Sequence, residues 1–502
     1  MAIVSMSAMV AFLCTFREWR KYHFILCVLN CMHYYCAASK PTLYYQSTPL
    51  TKQLLEHCSL LVEKYHPTWF LFNGHLQTIF LALGSRFPVV TYSREYVHLA
   101  DGGLVSLDWA IPPTKSTSYV EQHHDQPTVL LLHGTCGGSW ENYIRKAADK
   151  LMEHGWRVVV MNARGCAKTP VLTPRLFNAA DTDDIRQVVT HLRRKHAPTA
   201  PLLAVGFSLG SNLLVKFLGE ERDKCALDAA VSVGNPFDAM EIYRHLHHSS
   251  LATHLVYYRA MTKRFLKLFF EESNVHEHFA DHPTVDIDKM KKCDTMWDVD
   301  HAMTLKVFGY KSVVEYYRDC SSAPYLPHVR IPLLCLSAKD DPVCVSTAIP
   351  VEDCLANKHV ILAVTERGGH LGFYTGDGIL SYPDTWSAKV VAQYCDAMRD
   401  IVVSRTNCMS PSWSSTGHSD DNNPIERLPA KVHPVPQPRG PLSPVRFQHQ
   451  NSFPSDLVDE LELCDGVPLH RVFSFGAAVA CAYFVKKVEL VATSWRGRLR
   501  RA

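Results

Sequence analysis

Short apolar runs alternate with helical patterns through the middle of the chain. Four of these runs occupy residues 128–132, 157–161, 202–207 and 229–233, and two more, 333–337 and 359–364, follow after a long interval. Each run has the length of one buried strand. Parallel strands need long crossover connections, which are usually helices. The alternation therefore predicts an α/β fold with a mostly parallel sheet and helices on both faces.

A β-hairpin is expected before the first of these runs. The stretch 92–110 holds two segments of strand character joined at Asp101-Gly102-Gly103. An aspartate followed by glycine between two such segments is a strong turn signal. The domain is therefore predicted to open with β structure.

A long helical insertion separates the fourth and fifth runs. It spans residues 236–332, and its stretch Leu251–Glu272 carries the aromatic residues Tyr257, Tyr258, Phe265, Phe269 and Phe270. Insertions of this length between sheet strands are often functional. We take 236–332 as a candidate lid insertion over a substrate pocket. The alternative is that its aromatic side chains only pack against the sheet, as aromatic stripes commonly do.

The two ends of the chain differ from the domain between them, which we place at residues 41–403. Residues 1–40 hold two apolar runs, each shorter than the roughly 20 residues that cross a bilayer. We expect a membrane-associating segment there, with a buried or interfacial helix as the alternative. The basic stretch 17–21 favours a cytosolic position for the domain that follows. Nothing in the sequence indicates the organelle.

Beyond the domain the composition changes twice. Residues 404–470 are rich in serine and proline and hold few long apolar runs, which predicts a disordered linker. Residues 471–502 are apolar and then basic, a combination suited to an anionic membrane surface. A docked helix followed by a solvated basic tail is the alternative.

Composition limits the partners of the chain. A formal charge of +3 over 502 residues does not indicate nucleic acid binding. The 17 cysteines are an odd number without CxxC pairs, which favours a reducing compartment. No cofactor or metal is expected. The histidines at 245–248 and 276–278 lack a plausible ligand set, so we assign them to a solvated helix face.

A serine lies at the junction between the third run and the helix after it. Gly206-Phe-Ser-Leu-Gly210 matches G-x-S-x-G, in which the glycines allow a tight strand-to-helix turn that exposes the serine. A serine hydroxyl is a weak nucleophile and needs a base within hydrogen-bond reach. This position predicts Ser208 as a catalytic nucleophile.

Backbone amides near this serine are candidates for stabilising an oxyanion. The N–H of Leu209 is free because it opens a helix. A second donor is expected in the glycine turn His133-Gly-Thr-Cys-Gly-Gly138, which ends the first run. We assign it to Thr135, with Cys136 as the alternative. The turn could also be a plain loop that needs glycine for its dihedral angles.

An acid and a histidine follow at the ends of later runs, in the order that this type of serine site requires. The fifth run ends in Asp340-Asp341-Pro342, and His370 lies in a glycine-rich loop after the sixth. We assign the acid to Asp341 because it directly precedes the turn, with Asp340 as the alternative. His276 and Asp281 form an H-x4-D pattern, a weaker sign of acyl transfer.

Four more motifs surround the serine turn in a fixed order. They are Asn73-Gly-His-Leu-Gln-Thr78, Asn162-Ala-Arg-Gly-Cys166, Phe177-Asn-Ala-Ala-Asp-Thr-Asp-Asp184 and Val307-Phe-Gly-Tyr-Lys-Ser-Val-Val-Glu-Tyr-Tyr317. The set resembles the AB hydrolase 4 family, the YheT-like, membrane-associated α/β-hydrolase-domain proteins. The resemblance implies an α/β-hydrolase fold with nucleophile Ser208, acid Asp341 and base His370. It also implies esterase, lipase or acyltransferase action on acyl lipids, often at a membrane.

The sequence therefore predicts a serine esterase or lipase that cleaves carboxylic esters of acyl lipids through an acyl-enzyme. The expected partners are the acyl-lipid substrate and a membrane surface. An acyltransferase that uses an alcohol as acceptor and a non-catalytic scaffold with the same fold are the alternatives. The chain departs from the family in its short, interrupted apolar N-terminal segment and its long C-terminal extension.

Overall fold

The computed structural model describes residues 37–83, 87–113, 115, 125–250, 253–272, 275–376, 383–409 and 443–445. Most of the predicted N-terminal segment 1–40, most of the predicted linker 404–470 and all of the predicted tail 471–502 lie outside the described residues. No helix in the described ranges is both long and apolar enough to cross a bilayer.

A mostly parallel sheet lies at the centre of the domain. Its nine main strands are β1 Thr42–Tyr45, β2 Thr91–His98, β3 Leu104–Ile111, β4 Thr128–Leu132, β5 Arg157–Asn162, β6 Leu202–Phe207, β7 Ala229–Val233, β8 Leu333–Ala338 and β9 Val360–Thr365. Within the described part of the chain they lie in the order β1-β9-β8-β7-β6-β4-β5-β3-β2. Strands β4 to β9 pair in parallel, and β1, β2 and β3 are antiparallel to their neighbours. A separate short pair joins β10 Tyr374–Thr375 to β11 Asp384–Thr385.

The six apolar runs all form strands, within one residue of the predicted bounds. Every residue of β4, β6, β7, β8 and β9 is buried, as expected for strands covered on both faces. The predicted hairpin is present as β2 and β3, with His98 paired to Leu104 and Gly102 at φ 81° in the turn.

Helices cover both faces of the sheet. They are α1 Pro49–His57, α2 Ser59–Val62, α3 Gly74–Leu83, α4 Asn142–Glu153, α5 Asp183–Lys195, α6 Leu209–Glu221, α7 Ala239–His248, α8 Ala260–Lys267, α9 Ile287–Met290, α10 Met296–Val299, α11 Leu305–Phe308, α12 Val313–Cys320, α13 Val351–Ala356 and α14 Trp386–Met409. Alternate residues of β4 enter opposite cores, with Val129 beside α4 and α14 and Leu130 beside α5 and α6. The predicted fold class is therefore confirmed.

The predicted lid insertion, residues 236–332, lies between β7 and β8 and contains α7 to α12. Wider π-helical turns, His254–Arg259 and Leu268–Glu272, flank α8 and continue its helix in both directions. The aromatic side chains of the stretch 251–272 do not join the two cores on the sheet, whereas Phe237 at the start of the insertion does. Phe265 and Phe269 pack with Cys136 and Cys166, which follow β4 and β5. This stretch of the insertion therefore packs on the loops at the carboxyl ends of the parallel strands, while Leu326 and Val329 near its end join a core on the sheet.

Two features revise the predicted boundary at residue 403. Helix α14 continues to Met409, and the first proline after it is Pro411. Within the helix the Ser404 hydroxyl donates to the Asp400 carbonyl at 2.7 Å. Residues Ser443–Val445, inside the predicted linker, form a short strand β12 that pairs antiparallel with β2. The predicted linker therefore includes at least one segment with regular structure.

Candidate active site

Ser208 lies in a strained turn between β6 and α6. Its backbone has φ 51° and ψ −120°, a region that residues other than glycine rarely adopt. A Cβ atom on Gly206 would lie 2.5 Å from the Gly210 carbonyl oxygen, and one on Gly210 would lie 2.5 Å from the His133 carbonyl oxygen. Both glycines are therefore required by close backbone packing, as the sequence motif predicted.

The His370 ring bridges the serine and the acid. Its Nε2 lies 2.9 Å from Ser208 Oγ, and its Nδ1 lies 2.9 Å from Asp341 Oδ2. An ionised carboxylate can only accept hydrogen bonds, so Nδ1 carries the proton and Nε2 is free to accept the serine proton. The structure thus brings together the three residues that the sequence singled out.

Asp341, and not Asp340, contacts the histidine ring. The other oxygen of Asp341 accepts the backbone N–H groups of Val343 and Cys344, each at 2.8 Å, which fixes the carboxylate. Asp340 instead accepts the Gly369 N–H at 2.9 Å. Burial raises the pKa of Asp340 above its usual value. Asp340 therefore supports the histidine loop rather than the histidine ring.

The glycine turn after β4 lies against the nucleophile. A Cβ atom on Gly134 would be 3.2 Å from Ser208 Cβ. His133 holds the turn in place, since its Nδ1–H donates to the Gly134 carbonyl at 2.7 Å and its Nε2 accepts the Ala163 N–H at 3.1 Å. Burial lowers the pKa of His133 to about 4, so its ring is neutral near pH 7. The oxyanion roles of Leu209 and of Thr135 or Cys136 stay predictions.

The segment Asn73–Thr78 supports the histidine loop from the other side. The Thr78 hydroxyl accepts the His370 N–H, and Gln77 Oε1 accepts the Tyr374 N–H, each at 2.9 Å. A Cβ atom on Gly74 would lie 1.7 Å from the Asp340 carbonyl oxygen. The sequence marked this segment only as a family motif. Its contacts show that it supports the histidine loop and packs against the backbone of Asp340, the residue before the acid.

The remaining histidine predictions have different outcomes. His245 is not on a solvated face, because its Nε2 lies 3.2 Å from the Pro342 carbonyl oxygen, whereas His247 and His248 are exposed. His276 lies in the turn Val275–Phe279 with its ring 5.5 Å from that of Phe270, and Asp281 is exposed. The structure gives the H-x4-D pattern no contact with the serine site within the described residues.

Comparison with known proteins agrees with this architecture. Residues 127–377 match the family model of the alpha/beta hydrolase fold. Embryogenesis-associated protein EMB8 from Picea glauca is 34% identical over 69% of this chain and 75% of its own length. Phospholipase ABHD3 from Homo sapiens is 36% identical over 72% and 85%, and Monoacylglycerol lipase from Saccharomyces cerevisiae is 30% identical over 61% and 75%. The chain belongs to the α/β-hydrolase family.

Proposed function

We propose that this protein is a serine hydrolase that cleaves carboxylic esters of acyl lipids. The observation that carries the proposal is the continuous hydrogen-bonded chain Ser208–His370–Asp341, with both links at 2.9 Å. A hydroxyl bonded to a neutral imidazole, which is bonded in turn to a buried carboxylate, is the arrangement that makes a serine nucleophilic.

The reaction proceeds through an acyl-enzyme. Ser208 Oγ attacks the ester carbonyl as His370 Nε2 takes its proton, and His370 then gives that proton to the departing alkoxide. Water, deprotonated by His370, attacks the acyl-enzyme and releases the fatty acid and free Ser208. Asp341 stabilises the imidazolium in both steps without taking a proton. In this proposal the amides of Leu209 and Thr135 bind the negative oxygen of each tetrahedral intermediate.

The environment of the site favours an apolar acyl chain. The lid insertion sets Phe265, Leu268 and Phe269 in one apolar cluster with Cys136 of the glycine turn. The names of two relatives, Phospholipase ABHD3 and Monoacylglycerol lipase, also support a lipid ester as substrate. The four ordered motifs and the contacts of the Asn73–Thr78 segment favour the AB hydrolase 4 family within the α/β-hydrolases.

We further propose a membrane-associated location, with the catalytic domain facing the cytosol. The apolar runs within residues 1–40 and the basic residues at 17–21 support this orientation. The apolar and then basic segment 471–502 suits an anionic membrane surface.

A panel of p-nitrophenyl esters of increasing acyl length, with and without detergent, tests the activity. We expect turnover that increases with acyl length up to a medium or long chain. Product analysis with added alcohol separates hydrolysis from acyl transfer, since a transferase yields a new ester. Absence of turnover with every ester would contradict the proposal and favour the non-catalytic scaffold.

A further inference from the structure

The lid insertion makes a polar contact with the turn that carries the second oxyanion donor. Arg264, on α8, donates from Nη2 to the Cys136 carbonyl at 2.9 Å. Its other terminal nitrogen lies 2.9 Å from Glu272 Oε2. One guanidinium therefore joins the lid segment to the glycine turn.

The glycine turn has a backbone geometry that depends on outside contacts. The Gly137 N–H closes the turn on the Gly134 carbonyl at 3.1 Å, so the amides of Thr135 and Cys136 are not used in closing it. Cys136 has φ 53°, which costs a residue other than glycine about 1–3 kcal/mol. Such a conformation persists only where neighbouring groups hold it. Thr135 and Cys136, the two candidates for the second oxyanion donor, lie at this strained point and therefore depend on such contacts.

Two neighbours hold the first half of the turn, and Arg264 holds the second. The Gly134 N–H donates to the Tyr143 hydroxyl oxygen at 2.9 Å, and the Gly134 carbonyl accepts from His133 at 2.7 Å. Past the strained residue, the hydrogen bond from Arg264 fixes the Cys136 carbonyl, and with it the peptide plane between Cys136 and Gly137. The Cys136 side chain packs in the same apolar cluster as the lid residue Phe265.

We propose that Arg264 is a positioning residue that fixes the glycine turn for oxyanion binding and so couples the lid insertion to catalysis. The inference rests on the proposed function. Arginine suits this position because its planar fork can bond a carbonyl and a carboxylate at once, which the single ammonium of lysine does less well. When the lid segment moves away, the turn loses this support and the oxyanion is bound less well.

The test compares Arg264→Met with Arg264→Lys in the full chain, with Lys267→Met as the matched control. Lys267 lies on the same helix, and the structure gives it no polar partner among the described residues. Enzyme concentration is set by fluorophosphonate titration carried to its end point, so that misfolded protein is not counted. Both kcat and KM are measured on one p-nitrophenyl ester.

We expect Arg264→Met to lower kcat about 10-fold to 100-fold with KM within about twofold, because an oxyanion contact forms fully only in the transition state. Arg264→Lys should fall between this variant and the wild type, and Lys267→Met should match the wild type. Glu272→Gln keeps the bond to Cys136 and should lose less than Arg264→Met.

Two results would overturn the inference alone. One is an unchanged kcat in Arg264→Met. The other is a change confined to KM, or to the fraction of the protein that the fluorophosphonate labels. If Arg264→Met does not fold, a kcat in Arg264→Lys equal to that of the wild type overturns the inference instead. A wild type that turns over no ester would overturn the proposed function itself, so the two failures are distinguishable.

Discussion

The hydroxyl of Thr78 accepts the backbone N–H of His370 at 2.9 Å and donates to the Gly74 carbonyl at 2.7 Å. Thr78 lies on α3, before the first parallel strand, and His370 follows the last one. The histidine loop is thus anchored by a helix from the opposite end of the domain. This anchor fixes where the imidazole lies relative to Ser208.

Replacing Thr78 by valine tests the anchor. The side-chain volume is kept but the acceptor for the His370 N–H is lost, so the loop should shift and kcat should fall about 10-fold, with KM changed less. Thr78→Ser keeps the hydroxyl and is the control. Steady-state kinetics on a short-chain ester measures both, and equal kcat values in the two variants would show that the anchor has no catalytic role.

The two neighbouring aspartates should differ sharply when each is changed to asparagine. Asp341→Asn places an amide against His370 Nδ1 and disturbs the ring tautomer, so we expect kcat to fall by about 10³-fold or more. Asp340→Asn keeps an acceptor for the Gly369 N–H and should stay within about 10-fold of the wild type. Comparable losses in both variants, or a larger one in Asp340→Asn, would contradict the assignment of the acid.

The close approach of Gly74 to the backbone of Asp340 can be tested by its effect on stability. The Cβ atom of Gly74→Ala would meet the Asp340 carbonyl oxygen at 1.7 Å, and we expect a loss of at least about 2 kcal/mol in the free energy of unfolding. Gly309→Ala is the control, because its Cβ atom meets nothing within 4 Å although φ is 77°, and it should cost about 1 kcal/mol. Urea unfolding measures both, and a smaller loss in Gly74→Ala than in the control would refute the close approach.

Asp300 in the lid insertion predicts a dependence of stability on pH. Its carboxylate accepts from the Thr304 hydroxyl at 2.8 Å and the Tyr317 hydroxyl at 2.9 Å, and burial raises its pKa to about 7. The unfolded value is about 3.9. Between these pKa values the folded state holds more protons, so stability decreases as pH rises, by up to about 1.4 kcal/mol per pH unit.

Asp300→Asn removes this titration while retaining an acceptor. We therefore expect the free energy of unfolding of the variant to increase relative to that of the wild type as the pH is raised from 5 to 8. Urea unfolding at both pH values gives the comparison. If the difference between the two proteins is the same at pH 5 and pH 8, the carboxyl does not titrate as described.

The sequence predicted the parts of this fold that local patterns determine. The strands β4 to β9 are continuous apolar runs, the hairpin has its own turn residues, and Ser208, Asp341 and His370 each follow a strand. Because the carboxyl ends of parallel strands meet at one edge of a sheet, these positions predict that the three side chains lie at the same edge.

The parts that the sequence did not predict depend on distant partners. Strand β1 is four residues long and forms by antiparallel pairing with β9, which its own residues do not indicate. Thr78 and Arg264 act through single hydrogen bonds to segments far away in the chain. The sequence favoured Asp341 over Asp340 as the acid, but which carboxylate faces the ring is set by loop geometry, which the sequence pattern does not give.

The most direct measurement is the site of covalent labelling by a fluorophosphonate, located by mass spectrometry of the digested protein. The account predicts one adduct on Ser208, no adduct in Ser208→Ala, and much slower labelling in His370→Ala, because the imidazole activates the hydroxyl. An adduct on another residue, or labelling at an unchanged rate in His370→Ala, would contradict it.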